Sequence, residues 1–194
     1  MATTITWAEP IVLDFASALQ EAKLLSALRK QLRNKIADLG SPGDLDRCVY
    51  VVRMKGPVVV AYPNGDSPVL YVGRGDAPKR LAAHLKNWLH DVHRFGDSVG
   101  VELRICIPRW PNRTEFFKNV EADLIAWFQE DYGAIPFFNS RLETSYSEVI
   151  DYLPTHKKDL KRALGVGSGN KPEWAIRPLR SNKSHAVYEK GWVE

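Results

Sequence analysis

Hydrophobic positions near the start of the chain recur at the spacing of an α-helix. From Phe15 to Leu39 the apolar side chains lie three or four residues apart, which places them on one face of a helix. Asp14 is suited to cap the start of this helix, and Gly40 is suited to end it. The pattern therefore predicts a single amphipathic helix of about seven turns, whose opposite face is basic.

The pattern then changes to the short apolar segments that are typical of β-strands. Residues 47–54 are rich in β-branched and aromatic side chains, and residues 58–62 resume the run after a Gly-Pro pair, as one bulged strand or as a second short strand. The Asn64-Gly65 pair predicts a tight reversal into a returning strand at residues 69–74. Residues 99–107 alternate apolar and polar positions and predict another, half-buried strand.

Two later segments return to helical spacing. Residues 77–94 predict a helix capped by Asp76, and residues 114–132 predict a second core helix that ends at Gly133. After residue 152 the signals weaken, and residues 156–164 predict only a short basic helix. Together the elements predict an α/β fold of the α+β type, in which a small, mainly antiparallel three-stranded sheet is flanked by helices.

The same elements suggest a division of the chain into three parts. We expect an N-terminal helical extension at residues 1–46, a central domain at residues 47–152 and a basic C-terminal tail at residues 153–194. The glycine-rich residues 165–170 lack the spacing and the Lys-Ser/Thr ending of a phosphate-binding loop. They are therefore expected to form a flexible linker.

Composition narrows the class of protein. The 194-residue chain has 44% hydrophobic and 26% charged residues, which is typical of a globular protein and excludes wholesale disorder. Its apolar runs are far shorter than the ~18 residues that a membrane span needs, and no signal-peptide pattern precedes them. These features predict a cytoplasmic protein with no membrane partner. The two cysteines cannot form a four-cysteine zinc site, so we expect buried free thiols.

Positive charge is concentrated at the C-terminal end. The chain has a net charge of +4, yet residues 1–152 carry a net charge of −1 and residues 153–194 carry +5. A basic appendage is typical of proteins that bind a polyanion such as nucleic acid, because Lys and Arg displace counterions from phosphates. A solvated terminus explains the same charge equally well.

Six positions have the residue types and the spacing of one catalytic site. They are Tyr50 and Tyr71 in the two hairpin strands, Arg80 and His84 one turn apart on the following helix, Glu121 on the second core helix and Asn139 after it. In these residues the chain resembles the GIY-YIG nuclease family, over residues 47–141. It departs from the family pattern in two respects, because Cys48 replaces the first glycine and the tyrosines are farther apart than usual.

The resemblance implies hydrolysis of phosphodiester bonds with the help of one divalent metal ion, Mg²⁺, bound by Glu121. Arg80 would hold the phosphate with its planar guanidinium group. Tyr50 would accept the proton of the attacking water, either because nearby positive charge lowers its pKa or because it passes the proton to His84.

Supporting roles follow for the neighbouring residues. Tyr71 would hold the phosphate or the water through its hydroxyl, and the amide of Asn139 would tie the site together. Arg74, Lys79 and Lys86 flank the predicted site and are candidate contacts for the nucleic-acid backbone.

Each of these residues also has an ordinary structural interpretation. Strand tyrosines usually pack at an edge, and a histidine on the apolar face of a helix, such as His84, is commonly a hydrogen-bonded core residue. Trp88 and Trp110 could stack on unpaired bases or simply pack in the core. Glu121 lies among apolar neighbours, where a carboxylate without a partner is costly, and this position favours a functional role.

The function predicted from the sequence is a metal-dependent endonuclease that acts on nucleic acid, with DNA favoured over RNA. One alternative is a nucleic-acid-binding module or adaptor of the same fold that has lost catalysis. A second is a structural or adaptor protein whose basic helix and tail bind acidic partners.

Overall fold

The computed structural model describes residues 3–39, 42–96, 98–142, 150–167 and 171–189 of the chain, which adopt a mixed α/β fold. The strands are β1 (Thr4–Trp7), β2 (Ile11–Leu13), β3 (Cys48–Lys55), β4 (Val58–Tyr62), β5 (Gly65–Ser67), β6 (Val69–Gly75), β7 (Gly100–Arg109) and β8 (Trp174–Ile176). The helices are α1 (Phe15–Leu19), α2 (Leu24–Asp38), α3 (Ala77–Asn87), α4 (Phe116–Tyr132), α5 (Pro154–Arg162) and α6 (His185–Glu189). Short 3-10 helices at Pro42–Arg47 and Leu89–Phe95 precede β3 and follow α3.

Five antiparallel strands form the main sheet, in the order β1-β7-β3-β6, with β2 also paired to β7. The prediction of a three-stranded sheet is wrong because the start of the chain adds two strands along β7. Thr4 lies opposite Arg109, and Ile11 lies opposite Leu103. With four and three residues, β1 and β2 are too short for an alternating pattern to stand out in the sequence. The N-terminal segment is therefore part of the central sheet as well as helical.

The predicted long N-terminal helix is in fact two helices, α1 and α2. Asp14 caps α1 as expected, because its carboxylate accepts a hydrogen bond from the backbone N–H of Ser17 at 3.1 Å. Gln31 of α2 bonds to the backbone N–H and carbonyl of Asp14 at 2.9 and 3.0 Å. In a continuous helix, residues 14 and 31 would be about 25 Å apart, so the chain folds back between α1 and α2. Gly40, the predicted end of the helix, lies outside the described residues.

A second, smaller sheet is inserted between the two strands that carry the tyrosines. β4 and β5 form a hairpin whose turn is Pro63 and Asn64, one residue earlier than the predicted Asn64-Gly65 pair, and β8 pairs with β4 in the parallel direction. The chain from 58 to 62 is thus a separate strand, which is one of the two outcomes that the sequence left open. This insertion accounts for the long spacing between Tyr50 and Tyr71.

The beginning of the C-terminal segment packs against the main domain. Leu160 and Leu164 are buried, and the carbonyl of Leu164 accepts a hydrogen bond from the Ser67 hydroxyl at 2.7 Å. Arg53 of β3 is only 3% exposed and donates a hydrogen bond to the carbonyl of Gly165 at 2.7 Å. The first residue of the predicted linker is therefore held by the sheet, while residues 168–170 lie outside the described part of the chain.

Helices α3 and α4 have the caps that the sequence predicts. The Asp76 carboxylate accepts a hydrogen bond from the backbone N–H of Lys79 at 2.9 Å. Gly133 ends α4 in the left-handed conformation, with φ 76°. α3 ends at Asn87, earlier than predicted, because the chain tightens there into the 3-10 helix. α4 packs on β3, β6 and β7, and α2 packs on α3.

None of the helices within the described residues combines the length and the apolar character that crossing a membrane requires.

Candidate active site

The two tyrosines lie on the same face of the main sheet. In the pairing of β3 with β6, Tyr50 is opposite Gly73 and Tyr71 is opposite Val52. Side chains alternate along a strand and directly paired residues share a face, so Tyr50, Tyr71 and Gly73 lie together. The centroids of the two tyrosine rings are 6.1 Å apart. Gly73 leaves room for them, because a Cβ atom at this position would be 2.7 Å from Tyr50 Oη.

Helix α3 brings two further side chains to the hydroxyl of Tyr50. His84 Nε2 lies 3.1 Å from Tyr50 Oη, and Arg80 also forms a side-chain hydrogen bond with Tyr50. The two residues are four positions apart in the helix and therefore share a face. The predicted one-turn spacing thus brings both groups to the same phenolic oxygen.

Trp88 determines where the hydrogen of His84 lies. Its indole Nε1–H donates to His84 Nδ1 at 3.1 Å, and an indole nitrogen can only donate. Burial, together with the nearby Arg80, lowers the pKa of His84 to about 4, so the imidazole is neutral at pH 7. A neutral imidazole that accepts at Nδ1 carries its hydrogen on Nε2. His84 therefore donates a hydrogen bond to Tyr50 Oη.

Tyr50 is held as a neutral phenol by these surroundings. Burial and the neighbouring Tyr71 raise the pKa of Tyr50, and the hydrogen bond with Arg80 opposes this shift only in part. His84 Nε2 already carries a hydrogen, so the predicted transfer of a proton from Tyr50 to His84 is not supported by this geometry. Neither His84 nor Arg80 can accept the hydrogen of the Tyr50 hydroxyl, because a guanidinium group has no acceptor atom.

Exposure differs sharply among the residues around the tyrosine pair. Tyr50 is fully buried, Tyr71 and His84 are partly buried, and Arg80 is exposed. The Tyr71 ring lies 4.5 Å from the His84 ring, measured between centroids. A ligand that approaches from solvent therefore meets Arg80 and Tyr71 before it meets Tyr50.

Glu121 is buried in α4, where it is 5% exposed. Its Oε2 atom forms an ion pair with Arg74 Nη1 at 2.8 Å. Arg74 follows Gly73 in β6 and pairs with Val49, so it projects from the opposite face to Tyr50. The charge of Glu121 also contributes, after burial and Tyr71, to the raised pKa of Tyr50, although its partner Arg74 projects from the other face of the sheet. Arg74, predicted as a nucleic-acid contact, is thus the partner of Glu121.

The donor set around Glu121 fits a magnesium ion that uses a single protein carboxylate. Within the described ranges, no three His, Cys, Asp or Glu side chains come together in a group that could hold a metal ion. Mg²⁺ keeps several waters and is often bound by one or two carboxylates together with substrate phosphates. Glu121 would supply the carboxylate, and Arg74 would compete with the cation for Oε2.

Asn139 holds the outer edge of β6. Its Oδ1 accepts a hydrogen bond from the backbone N–H of Val72 at 3.0 Å, and its Nδ2 donates to the carbonyl of Val72 at 2.8 Å. The N–H of Phe138 donates to the Leu70 carbonyl at 2.8 Å. Because β6 is an edge strand, these bonds cover backbone groups that would otherwise face solvent. Asn139 fixes the stretch of β6 between Tyr71 and Gly73.

The remaining predicted contacts lie on the surface of α3. Lys79 and Lys86 are both exposed, and the backbone N–H of Lys79 belongs to the helix cap formed by Asp76. Lys79 lies in the first turn of the helix beside Arg80, whereas Lys86 lies near its end. Both ammonium groups are therefore accessible to a phosphate backbone.

Two residues shape the geometry of the site in ways that the sequence prediction did not assign to them. Trp88 bonds to His84, and its ring is stacked on Phe138 at 4.0 Å between centroids. The spacing of four residues from His84 is the sequence signal for this contact. Gly73 is the second residue, and its signal is its place two residues after Tyr71 in a strand, where glycine often marks a close approach.

No protein-family model matches the chain, and neither a curated protein nor a solved structure matches it.

Proposed function

We propose that the protein is a metal-dependent endonuclease that hydrolyses phosphodiester bonds in nucleic acid, with DNA favoured over RNA. The observation that carries the proposal is the grouping of Arg80 and His84 at the hydroxyl of Tyr50, with Tyr71 on the same face and Glu121 nearby. These residues come from β3, β6, α3 and α4, and they are the positions that resemble the GIY-YIG pattern.

Arg80 is the group that first meets a phosphate in this arrangement. It is exposed and carries a permanent charge, and its planar fork matches two phosphate oxygens. Its hydrogen bond with Tyr50 raises the pKa of Arg80, against the opposing effect of burial. The guanidinium group therefore stays charged and held in place while it neutralises charge on the phosphoryl group.

Tyr50 would act as a hydrogen-bond donor to the reacting groups. In hydrolysis, a water oxygen forms a new bond to phosphorus while one ester P–O bond breaks. The Tyr50 hydroxyl needs an acceptor that His84 and Arg80 cannot provide, and an oxygen of the phosphate or of the attacking water meets that need. His84 then orients the phenol, and Trp88 orients His84.

Mg²⁺ bound by Glu121 would supply positive charge on the phosphoryl oxygens and an acidified water molecule. The ion pair with Arg74 holds the Glu121 carboxylate in its orientation.

Cleavage of supercoiled plasmid in Mg²⁺ tests the proposal. We expect Glu121→Gln to abolish cleavage, because the amide keeps the shape of the side chain but loses the charge that binds the cation. Glu130→Gln, which changes an exposed glutamate of the same helix, is the matched control and should cleave like the wild type. Thermal unfolding of both variants separates loss of chemistry from loss of fold.

Two outcomes would contradict the proposal. One is wild-type activity of Glu121→Gln at saturating Mg²⁺. The other is a folded wild-type chain that binds a panel of DNA and RNA substrates but cleaves none of them, which would favour the inactive nucleic-acid-binding module instead.

A further inference from the structure

A basic cleft lies at the end of β7. It has a volume of about 710 Å³ and lies between the 3-10 helix at Pro42–Arg47, the end of β7 and the loop before α4. The residues that give it chemical character are Asp44, Arg47, Arg109, Trp110 and Arg113. The volume is within the range of about 300–1,000 Å³ that small-molecule sites occupy.

Positive charge predominates in the cleft. It contains three arginines against one aspartate, and Arg109 forms an ion pair with Asp44 across its width. Both members of this pair are accessible, with Arg109 61% exposed and Asp44 39% exposed. Guanidinium groups bind phosphate with two parallel hydrogen bonds, so an anion in the cleft can exchange with Asp44 at Arg109.

An aromatic platform forms one wall of the same cleft. The guanidinium carbon of Arg113 lies 4.2 Å from the centroid of the Trp110 ring. The rings of Trp110 and Phe116 meet in an edge-to-face arrangement, with their centroids 5.2 Å apart. Unpaired bases stack on aromatic side chains and on arginine guanidinium planes. Because the exposed Arg113 covers one face of Trp110, a base would stack on the outer side of the Arg113–Trp110 pair.

The strand register places this cleft at the catalytic end of the main sheet. Cys106 of β7 pairs with Val49, which precedes Tyr50, and Val49 pairs with Arg74 on its other side. From Cys106 the chain runs three residues farther to Arg109, past the start of β3. Strand spacings put the Cα atoms of Arg109 and Arg74 about 14 Å apart, so the cleft and the Arg74–Glu121 ion pair lie within a few nucleotides of each other along a bound strand.

We propose that the cleft binds one unpaired nucleotide of the substrate, a few positions away from the scissile phosphate. The base stacks against Trp110 and Arg113, and its phosphate binds Arg47 and Arg109. This inference rests on the proposed nuclease function and adds a substrate preference to it. A duplex cannot place a base in such a cleft unless the base is first unpaired. The preferred substrate is then single-stranded, frayed or flapped DNA.

Binding without cleavage tests the cleft separately from catalysis. Fluorescence anisotropy in EDTA would compare a labelled 12-nucleotide single strand with the blunt duplex of the same sequence. We expect the wild-type chain to prefer the single strand, and Trp110→Ala to lose about tenfold or more of that affinity while duplex binding changes little. Arg109→Ala should reduce the salt dependence of single-strand binding by about one counterion.

Matched controls come from residues far from the cleft. Trp174→Ala removes a tryptophan that is 70% exposed on β8, and Arg94→Ala removes an arginine that is 74% exposed after α3. Both should bind like the wild type. Trp110→Ala could fail to fold because it loses the contact with Phe116. In that case Arg113→Ala serves instead, since it removes the guanidinium plane on which the base stacks, and it should weaken single-strand binding at least about threefold.

The outcomes separate this inference from the proposed function. Selective loss of single-strand binding supports the cleft, even if the wild-type chain cleaves nothing and the nuclease proposal fails. Unchanged binding by Arg109→Ala and Arg113→Ala would overturn the cleft, even if the wild-type chain cleaves DNA. An equal loss of single-strand and duplex binding would also overturn it, because the arginines would then act only as general charge.

Discussion

Replacement of Gly73 by alanine is the sharpest test of how the two tyrosines are packed. A Cβ atom at this position would lie 2.5 Å from Tyr71 Cε1 and 2.7 Å from both Tyr50 Cζ and Oη. Carbon atoms in contact are ordinarily about 3.5–4.0 Å apart. Each ring must therefore shift by about 1 Å to admit the methyl group.

The displacement of the Tyr50 ring would disturb its hydrogen bond with His84. Tyr50 is fully buried, and its Oη lies 3.1 Å from His84 Nε2, so a displacement of about 1 Å lengthens this bond beyond hydrogen-bonding distance. Misplacement of a reacting group by that amount commonly costs about 100-fold in rate. We expect Gly73→Ala to lose about 100-fold in plasmid cleavage and to unfold with about 1–3 kcal/mol less free energy.

A matched control is available in β7, which lies two strands away in the same sheet. A Cβ atom at Gly100 of β7 would meet its nearest neighbour, the Leu13 carbonyl oxygen, at 3.5 Å, which is an ordinary contact. Gly100→Ala should therefore keep the wild-type rate. The reasoning is refuted if Gly73→Ala retains a cleavage rate within threefold of wild type while urea unfolding shows a native fold.

Three further predictions concern the residues around the tyrosine pair. The pKa of His84 is lowered from 6.5 to about 4, so its contribution to stability is complete above pH 6.5 and falls by about 1–2 kcal/mol, allowing for partial exposure, as the pH drops to 4. Over this range the free energy of urea unfolding should fall for the wild type but not for His84→Gln. Parallel pH curves for the two proteins would contradict the lowered pKa. Trp88→Phe keeps the stack on Phe138 but removes the hydrogen bond to His84 Nδ1, so NMR titration should show a His84 pKa nearer to 6.5. An unchanged pKa would mean that the indole does not orient His84. Asn139→Ala leaves both backbone groups of Val72 without their partners and should cost about 1–3 kcal/mol in urea unfolding, whereas wild-type stability would mean that the edge of β6 needs no cover.

Local signals in the sequence were sufficient for several elements and for the spacing of the site. Asp76 and Gly133 mark the ends of helices because capping depends only on residues within one turn. The four-residue spacing of Arg80 and His84 brings both to the hydroxyl of Tyr50, since α3 forms where its apolar periodicity predicts. The helix caps and the shared face of α3 are recoverable because the interactions that produce them are close in sequence, whereas the meeting of that face with Tyr50 was expected from the family resemblance.

Features that depend on distant partners were not recoverable. β1 and β2 are strands because β7 is available to pair with them, and nothing within their own few residues requires it. The contact of Gln31 with Asp14 holds α2 against the start of α1, and the spacing of apolar residues gives no sign of this contact. The tautomer of His84 likewise depends on the orientation of the Trp88 ring, which spacing alone leaves undetermined.

The pairing of β8 with β4 has a consequence for how the chain is made. Val58 and Trp174 are partners in a parallel ladder although more than a hundred residues separate them in sequence. A ribosome adds about 5–20 residues per second, so one edge of β4 stays unpaired for about 6–23 s before β8 is synthesised. Pairings over such distances are also intrinsically slow to form. During that interval the nascent chain carries an open strand edge, which is the feature that recruits other strands and leads to aggregation.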